Sequence, residues 1–172
     1  MILAGVKQRD SGAGNDGVLT ALEVAGLDLF GTKLVILSAC ETGLGDTQNG
    51  AGVYGLRRAL VLAGSETQVM SLWQVSDAAT RDLMIAYYKR LQSGAGRIAA
   101  MRQVQLAMLH GTVLAKSSNI QSSIGLIPQT QARQVGLGTT DIKPQAEWRH
   151  PYYWAAFIPS GAWMTLDGKE PK

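Results

Sequence analysis

The run Leu34-Val35-Ile36-Leu37-Ser38-Ala39 constrains the fold more than any other stretch of the chain. It is apolar almost throughout, carries β-branched residues, and shows no alternation of inward and outward positions. Such a strand has no face suited to water and needs cover on both sides, as a strand inside a parallel sheet has. Val69-Met70-Ser71-Leu72-Trp73 is a second run of the same character. Between the two, Val53, Leu56, Ala59, Leu60 and Ala63 recur at helical spacing, which predicts a helix over about 51–63 with Gly64 just past its end. Parallel neighbours need a crossover, so strand, helix and strand in this order predict an α/β fold with a mostly parallel central sheet flanked by helices.

The flanking segments extend the pattern. Thr20 with Glu23 three residues on has capping-box spacing, so a short helix starts there and Gly26 ends it. Ser76 or Asp77 caps a third helix whose face is Leu83, Met84, Tyr87, Tyr88 and Leu91, broken by Gly94 and Gly96. A fourth helix runs over about 97–109, with Ile98, Met101, Val104, Gln105 and Met108 in line. Residues 116–146 are rich in Ser, Gln, Gly and Thr without periodicity and read as a mobile loop or insertion. His150-Pro-Tyr-Tyr-Trp-Ala-Ala-Phe-Ile158 reads as a closing aromatic strand, and 166–172 as a frayed tail.

Composition sets the class. At 172 residues, 46% of them hydrophobic, the chain suits one domain with an aliphatic core. Its single cysteine excludes an internal disulfide framework. No apolar run is long enough to span a bilayer, and the first residues lack the pattern of a signal peptide, so the expectation is a soluble, cytoplasmic protein without membrane contact. The net charge is +3. The basic excess lies in Arg57, Arg58, Arg81, Lys89, Arg90, Arg97 and Arg102, which fall at helical spacing rather than in a block. That pattern reads as solvated helix faces, with no nucleic-acid partner expected.

Two places could carry chemistry. Cys40 stands at the end of the first buried strand, before the glycine-rich loop Glu41–Gly50. Sites in open α/β sheets gather at the carboxyl ends of strands. A thiol there can act as a nucleophile if a base or a positive field favours the thiolate; otherwise it is a buried core cysteine. Gly50-Ala-Gly-Val-Tyr-Gly55 matches a dinucleotide-binding glycine pattern, with Asp77 at a suitable distance beyond, but it does not directly follow a strand, as that pattern requires. No cofactor is expected. Two histidines and one cysteine without ligand spacing predict no metal site.

Several motifs in series resemble the CHAT domain, a caspase-like peptidase family related to separases, gingipains and caspases. They are Asp16-Gly-Val-Leu-Thr-Ala-Leu-Glu-Val24, Leu34-Val-Ile-Leu-Ser-Ala-Cys-Glu-Thr-Gly-Leu-Gly-Asp46, Asn49-Gly-Ala-Gly-Val-Tyr-Gly-Leu-Arg-Arg-Ala-Leu60, Val69-Met-Ser-Leu-Trp-Gln-Val-Ser-Asp77 with Ala79-Thr80, and His150-Pro-Tyr-Tyr-Trp-Ala-Ala-Phe157 with Gly161. The resemblance covers residues 1–165 apart from the stretch 116–146. It implies a caspase-like fold and peptide-bond hydrolysis by a Cys–His dyad, with Cys40 as nucleophile. By similarity to separases it implies Asp77 as the carboxylate lining the pocket for a basic P1 side chain; as a plain structural residue Asp77 is a helix N-cap.

The family's dyad histidine lies in a His-Gly motif before the segment matching Ile2-Leu-Ala-Gly5, and no histidine precedes Cys40 here. The expectation is therefore the cysteine-bearing portion of a caspase-like domain, without its N-terminal strand or strands and inactive alone. His110 reads as a helix-end residue and His150 as a structural histidine of the closing motif. Implied partners are a peptide or protein substrate and a tetratricopeptide-repeat region or partner protein. The alternative function is a non-catalytic protein-interaction or signalling module; nucleotide binding through Gly50–Gly55 is the remote one.

Overall fold

A computed structural model describes residues 17–37, 51–112 and 144–171. They belong to two compact units. The first draws on residues 1–74 and 157–162, the second on 75–156 and 163–172.

The first unit opens with helix α1 (Ala21–Ala25), and the sequence shows why it starts where it does. The Thr20 hydroxyl accepts the Glu23 N–H at 3.2 Å, and the Glu23 carboxylate accepts the Thr20 N–H at 2.7 Å. This capping box satisfies donors that a helix start leaves without intrahelical partners. Strand β1 (Val35–Leu37), helix α2 (Ala51–Leu62) and strand β2 (Thr67–Ser71) form the expected strand–helix–strand order, and β1 pairs with β2 in parallel, Leu37 opposite Met70. The core of this unit is Val24, Leu56, Ala59, Leu60 and Met70, with Leu29, Val35 and Leu37 packed against it. Helix α2 ends as its sequence predicts. Gly64 takes φ +103°, its N–H reaches the Val61 carbonyl at 3.0 Å, and the Ser65 N–H reaches the Leu60 carbonyl at 3.1 Å. These two bonds make a Schellman end, which needs a positive φ that glycine adopts without penalty.

Three expectations about the strands change. First, β2 begins two residues earlier than the apolar run, because Thr67 and Gln68 are buried polar residues with partners. The Thr67 hydroxyl donates to the Ala162 carbonyl at 2.7 Å, and the Gln68 amide donates to the Ser65 carbonyl at 3.0 Å. Second, the sheet is mixed rather than mostly parallel among the described strands. Its order is β1-β2-β3, and β3 (Phe157–Gly161) runs antiparallel to β2. Third, His150–Tyr153 is not strand. Pro151 starts a 3-10 turn over Pro151–Tyr153, with its fixed φ suited to the first position, and His150 Nδ1 accepts the Tyr152 N–H at 3.2 Å. At the end of β3, Gly161 (φ +110°) pairs with Thr67.

The second unit is built on α3 (Asp77–Gln92) and α4 (Arg97–His110), which pack on each other, with a 3-10 turn at Ala146–Arg149 against α4. Leu83, Tyr87 and Leu91 are buried on α3 as expected, together with Ala79 and Ala86; Tyr88 of the predicted face is exposed. On α4 the buried face is Arg97, Ala100, Met101, Val104, Ala107 and Met108. Arg97 corrects the reading of the arginines as solvated. It is fully buried, and its backbone N–H and its Nε both donate to the Met164 carbonyl, at 3.1 and 2.9 Å. Residues 165–169 form a hydrogen-bonded turn. The Thr165 hydroxyl donates to Asp167 and accepts the Lys169 N–H, and Asp167 pairs with Lys169 at 2.9 Å. Residues 116–143 of the expected loop, and residues 1–16 with the segment Ile2-Leu-Ala-Gly5, lie outside the described residues.

Candidate functional site

Because β1 and β2 run in parallel and in register, their carboxyl ends leave the sheet on the same side. Cys40 follows the last residue of β1 by three positions in sequence, and it lies outside the described residues together with the loop up to Gly50.

Past the end of β2, the chain bends at Leu72-Trp73, runs extended through Gln74-Val75-Ser76 and enters α3. Ser76 occupies the N-cap position with extended backbone, its side chain making no capping bond, and its carbonyl accepts the Thr80 N–H at 2.9 Å. Asp77 is thus the first helical residue, and of the two caps expected, Ser76 or Asp77, the position falls to Ser76. The first turn of a helix favours a carboxylate through the partial positive charge of its free N–H groups. The Asp77 side chain is exposed and has no hydrogen bond or ion pair among the described residues. A carboxylate in this state can accept a guanidinium or an ammonium ion without first giving up another partner.

One turn further along α3, the Thr80 hydroxyl is shielded from water and has no hydrogen-bond partner among the described residues. Residues three apart share a helix face, so this hydroxyl lies on the Asp77 side of α3. The motif reading includes Thr80 and gives it no role. Tyr87, two further turns on, is fully buried, and its phenol also lacks a partner. Burial is the main cause that pushes the phenol above its ordinary range; nearby Tyr88 adds to the shift and Arg97 opposes it.

Both histidines have local structural surroundings. His110 is the last residue of α4 and is exposed, where an imidazole can interact with the helix's final carbonyls. His150 holds the 3-10 turn through Nδ1, which as an acceptor carries no proton, leaving the proton of the neutral ring on Nε2.

The glycine-rich match falls in an unsuitable place for phosphate. Gly52 and Gly55 lie inside α2, whereas a phosphate-cradling loop sets its first glycines before the helix. Gly55 instead sits opposite Ala21, where an added Cβ would meet the alanine methyl at 4.0 Å, so it brings α1 close to α2. Among the described residues no group of three or more His, Cys, Asp and Glu side chains could hold a metal ion, and no helix is long and apolar enough to cross a membrane.

The family model of the CHAT domain matches residues 1–162. No curated protein and no solved structure matches the chain.

Proposed function

This chain belongs to the CHAT domain family, whose caspase-like peptidase relatives frame its chemistry, and we propose that it is the cysteine-bearing part of a cysteine endopeptidase that cuts after a basic residue. The observation that carries the reading is the family match, which runs through both the Cys40 and the Asp77 motifs.

In this reading the Cys40 thiolate attacks the carbonyl carbon of the scissile peptide bond, and backbone N–H groups of the adjoining loop stabilise the developing oxyanion. The C–N bond breaks, the leaving amine takes a proton from an imidazolium, and water then hydrolyses the thioester to return the thiol. Asp77 pairs with the P1 guanidinium or ammonium, a role supported by its exposed carboxylate, which has no partner among the described residues, at the start of α3. The imidazole comes from a histidine other than the two in this sequence. His150 supports this, since its Nδ1 is already engaged with Tyr152, and neither histidine occupies the position that the family motif implies. The 172-residue chain by itself is therefore expected to bind and alkylate but not to turn over.

An affinity label tests the site without requiring turnover. A peptidyl acyloxymethyl ketone with arginine at P1 should modify Cys40, as read by mass spectrometry, at least about tenfold faster than its leucine analogue, the discrimination one lost charge-assisted contact gives. Asp77→Asn should bring the two rates together. Equal rates in the unaltered chain would remove the basic-P1 assignment and favour the interaction-module reading. The base is tested through the alkylation rate against pH. A profile with a midpoint near the free-thiol value of about 8.5, unchanged in His110→Ala and His150→Ala, is expected; a midpoint well below it that either change abolishes would assign that histidine as the partner.

A further inference from the structure

The outer surface of α2 and the loop beside it carry a feature that the peptidase reading does not use. Arg57, Arg58, Val61 and Leu62 are all exposed and stand in two rows four residues apart along the helix, Arg57 above Val61 and Arg58 above Leu62. Phe30 is 92% exposed, and its backbone runs against the end of the same helix, so close that a Cβ on Gly64 would stand 3.0 Å from the Phe30 N. Phe30, Val61 and Leu62 thus gather exposed apolar surface at the end of α2. On one side of it stand the two arginines, which have no hydrogen bond or ion pair among the described residues, whereas Lys33, Arg81 and Lys169 each hold a carboxylate. On the loop side stands Asp28, exposed, its carboxylate accepting the Phe30 N–H at 3.1 Å.

We propose that this surface is a two-fold interface that binds a second copy of the same chain. A self-associating patch must be its own complement, so that residue i of one copy meets residue j of the other and the reverse. The α2 patch meets that requirement, because its apolar centre is flanked by cations on one side and an anion on the other. In the proposed two-fold, each Asp28 pairs with the partner's Arg58 and each Phe30 packs on the partner's Leu62. Aromatic residues and arginine are also among those enriched at interfaces relative to the rest of the surface. The inference involves neither Cys40 nor Asp77, so it stands or falls apart from the peptidase reading.

Sedimentation equilibrium of the whole 172-residue chain tests it. A concentration-dependent dimer is expected. Phe30→Ser and Arg58→Glu should each raise the dissociation constant at least about tenfold. Asp28→Lys should do the same. An equimolar mixture of the Arg58→Glu and Asp28→Lys chains should regain the affinity, because in the mixed dimer both charge contacts have opposite signs again. Far-ultraviolet circular dichroism confirms that each variant is folded, which these exposed positions favour. A chain that stays monomeric at the highest soluble concentration overturns the proposal. A dimer that is indifferent to all three substitutions, or a mixture that fails to regain affinity, overturns it equally.

Discussion

Gly161→Ala is the sharpest test of how the first unit closes. The residue sits at φ +110° opposite Thr67, and an added Cβ would fall 2.2 Å from the Glu66 carbonyl oxygen and 3.0 Å from the Thr67 Cα. Both neighbours are backbone at the start of the central strand, Glu66 just before it and Thr67 its first residue, so β3 must retreat by about 1 Å to restore ordinary contact. Retreat weakens two bonds at that point, Ala162 N–H to the Glu66 carbonyl at 2.9 Å and the Thr67 hydroxyl to the Ala162 carbonyl at 2.7 Å. Each is worth about 0.5–1.5 kcal/mol, and the positive φ adds about 1–3 kcal/mol. The sum is about 4 kcal/mol, a large share of a typical domain's stability. Gly31→Ala separates the two causes. It lies in the same unit at a similar φ of +83° with nothing within 4 Å, so it carries the conformational cost alone. Chemical denaturation of both variants, followed by circular dichroism, should show Gly161→Ala less stable than Gly31→Ala by about 2 kcal/mol, the contribution of the two hydrogen bonds. In thermal melts that corresponds to a gap of about 4–8 °C for a chain of this length. Equal losses in the two variants would refute the close approach of β3 to the Glu66 carbonyl.

Other measurements probe separate parts of the molecule. Tyr87→Phe removes a buried hydroxyl without a partner and should raise the melting temperature, by a stabilisation of about 1 kcal/mol; a loss of that size would show that the phenol is bonded. Thr20→Ala opens the capping box and should cost about 1 kcal/mol, seen as faster amide exchange confined to α1; unchanged exchange would speak against the cap. The Thr165 hydroxyl first, and then Lys169, lower the Asp167 carboxyl from its ordinary 3.8 to about 2. A carboxyl lowered by folding contributes stability that is present above its unfolded value and lost as pH falls through its folded one. The 165–169 turn should therefore persist at pH 4 and loosen toward pH 2; a carboxyl carbon titration of Asp167 with its midpoint at 3.8 would contradict this.

The features legible in the sequence are those that short-range chemistry determines. Thr20 and Glu23 announce a helix start because their two bonds close within one turn, and Gly64 announces an end because only the local backbone has to accept a positive φ. Places where distant segments decide were not legible. Thr67 and Gln68 look too polar for a buried strand until Ala162 and Ser160 arrive as partners. Arg97 looks solvated until the carbonyl of Met164, 67 positions on, meets it inside the second unit. The aromatic stretch after His150 is a local case read wrongly: its composition suits a strand, yet Pro151 and the His150 side chain turn it into a 3-10 turn and postpone β3 to Phe157. For the candidate site, the sequence placed the start of α3 at Ser76 or Asp77, but it could not show that the Asp77 carboxylate has no partner among the described residues, because that depends on side chains distant in sequence.

The bond from Arg97 to Met164 also bears on where this domain should be cut. The family match ends at residue 162, yet the polypeptide leaves the first unit at that point and goes back to the second. A chain trimmed after Ala162 would keep every strand of the described sheet while removing the carbonyl that the buried Arg97 holds through two donors, and also Trp163 and Pro171, against which Gly96 is packed. A boundary drawn from shared sequence would then leave an open seam at the first turn of α4. The nine residues 163–171 are better regarded as the domain's last stitch than as its trailing thread.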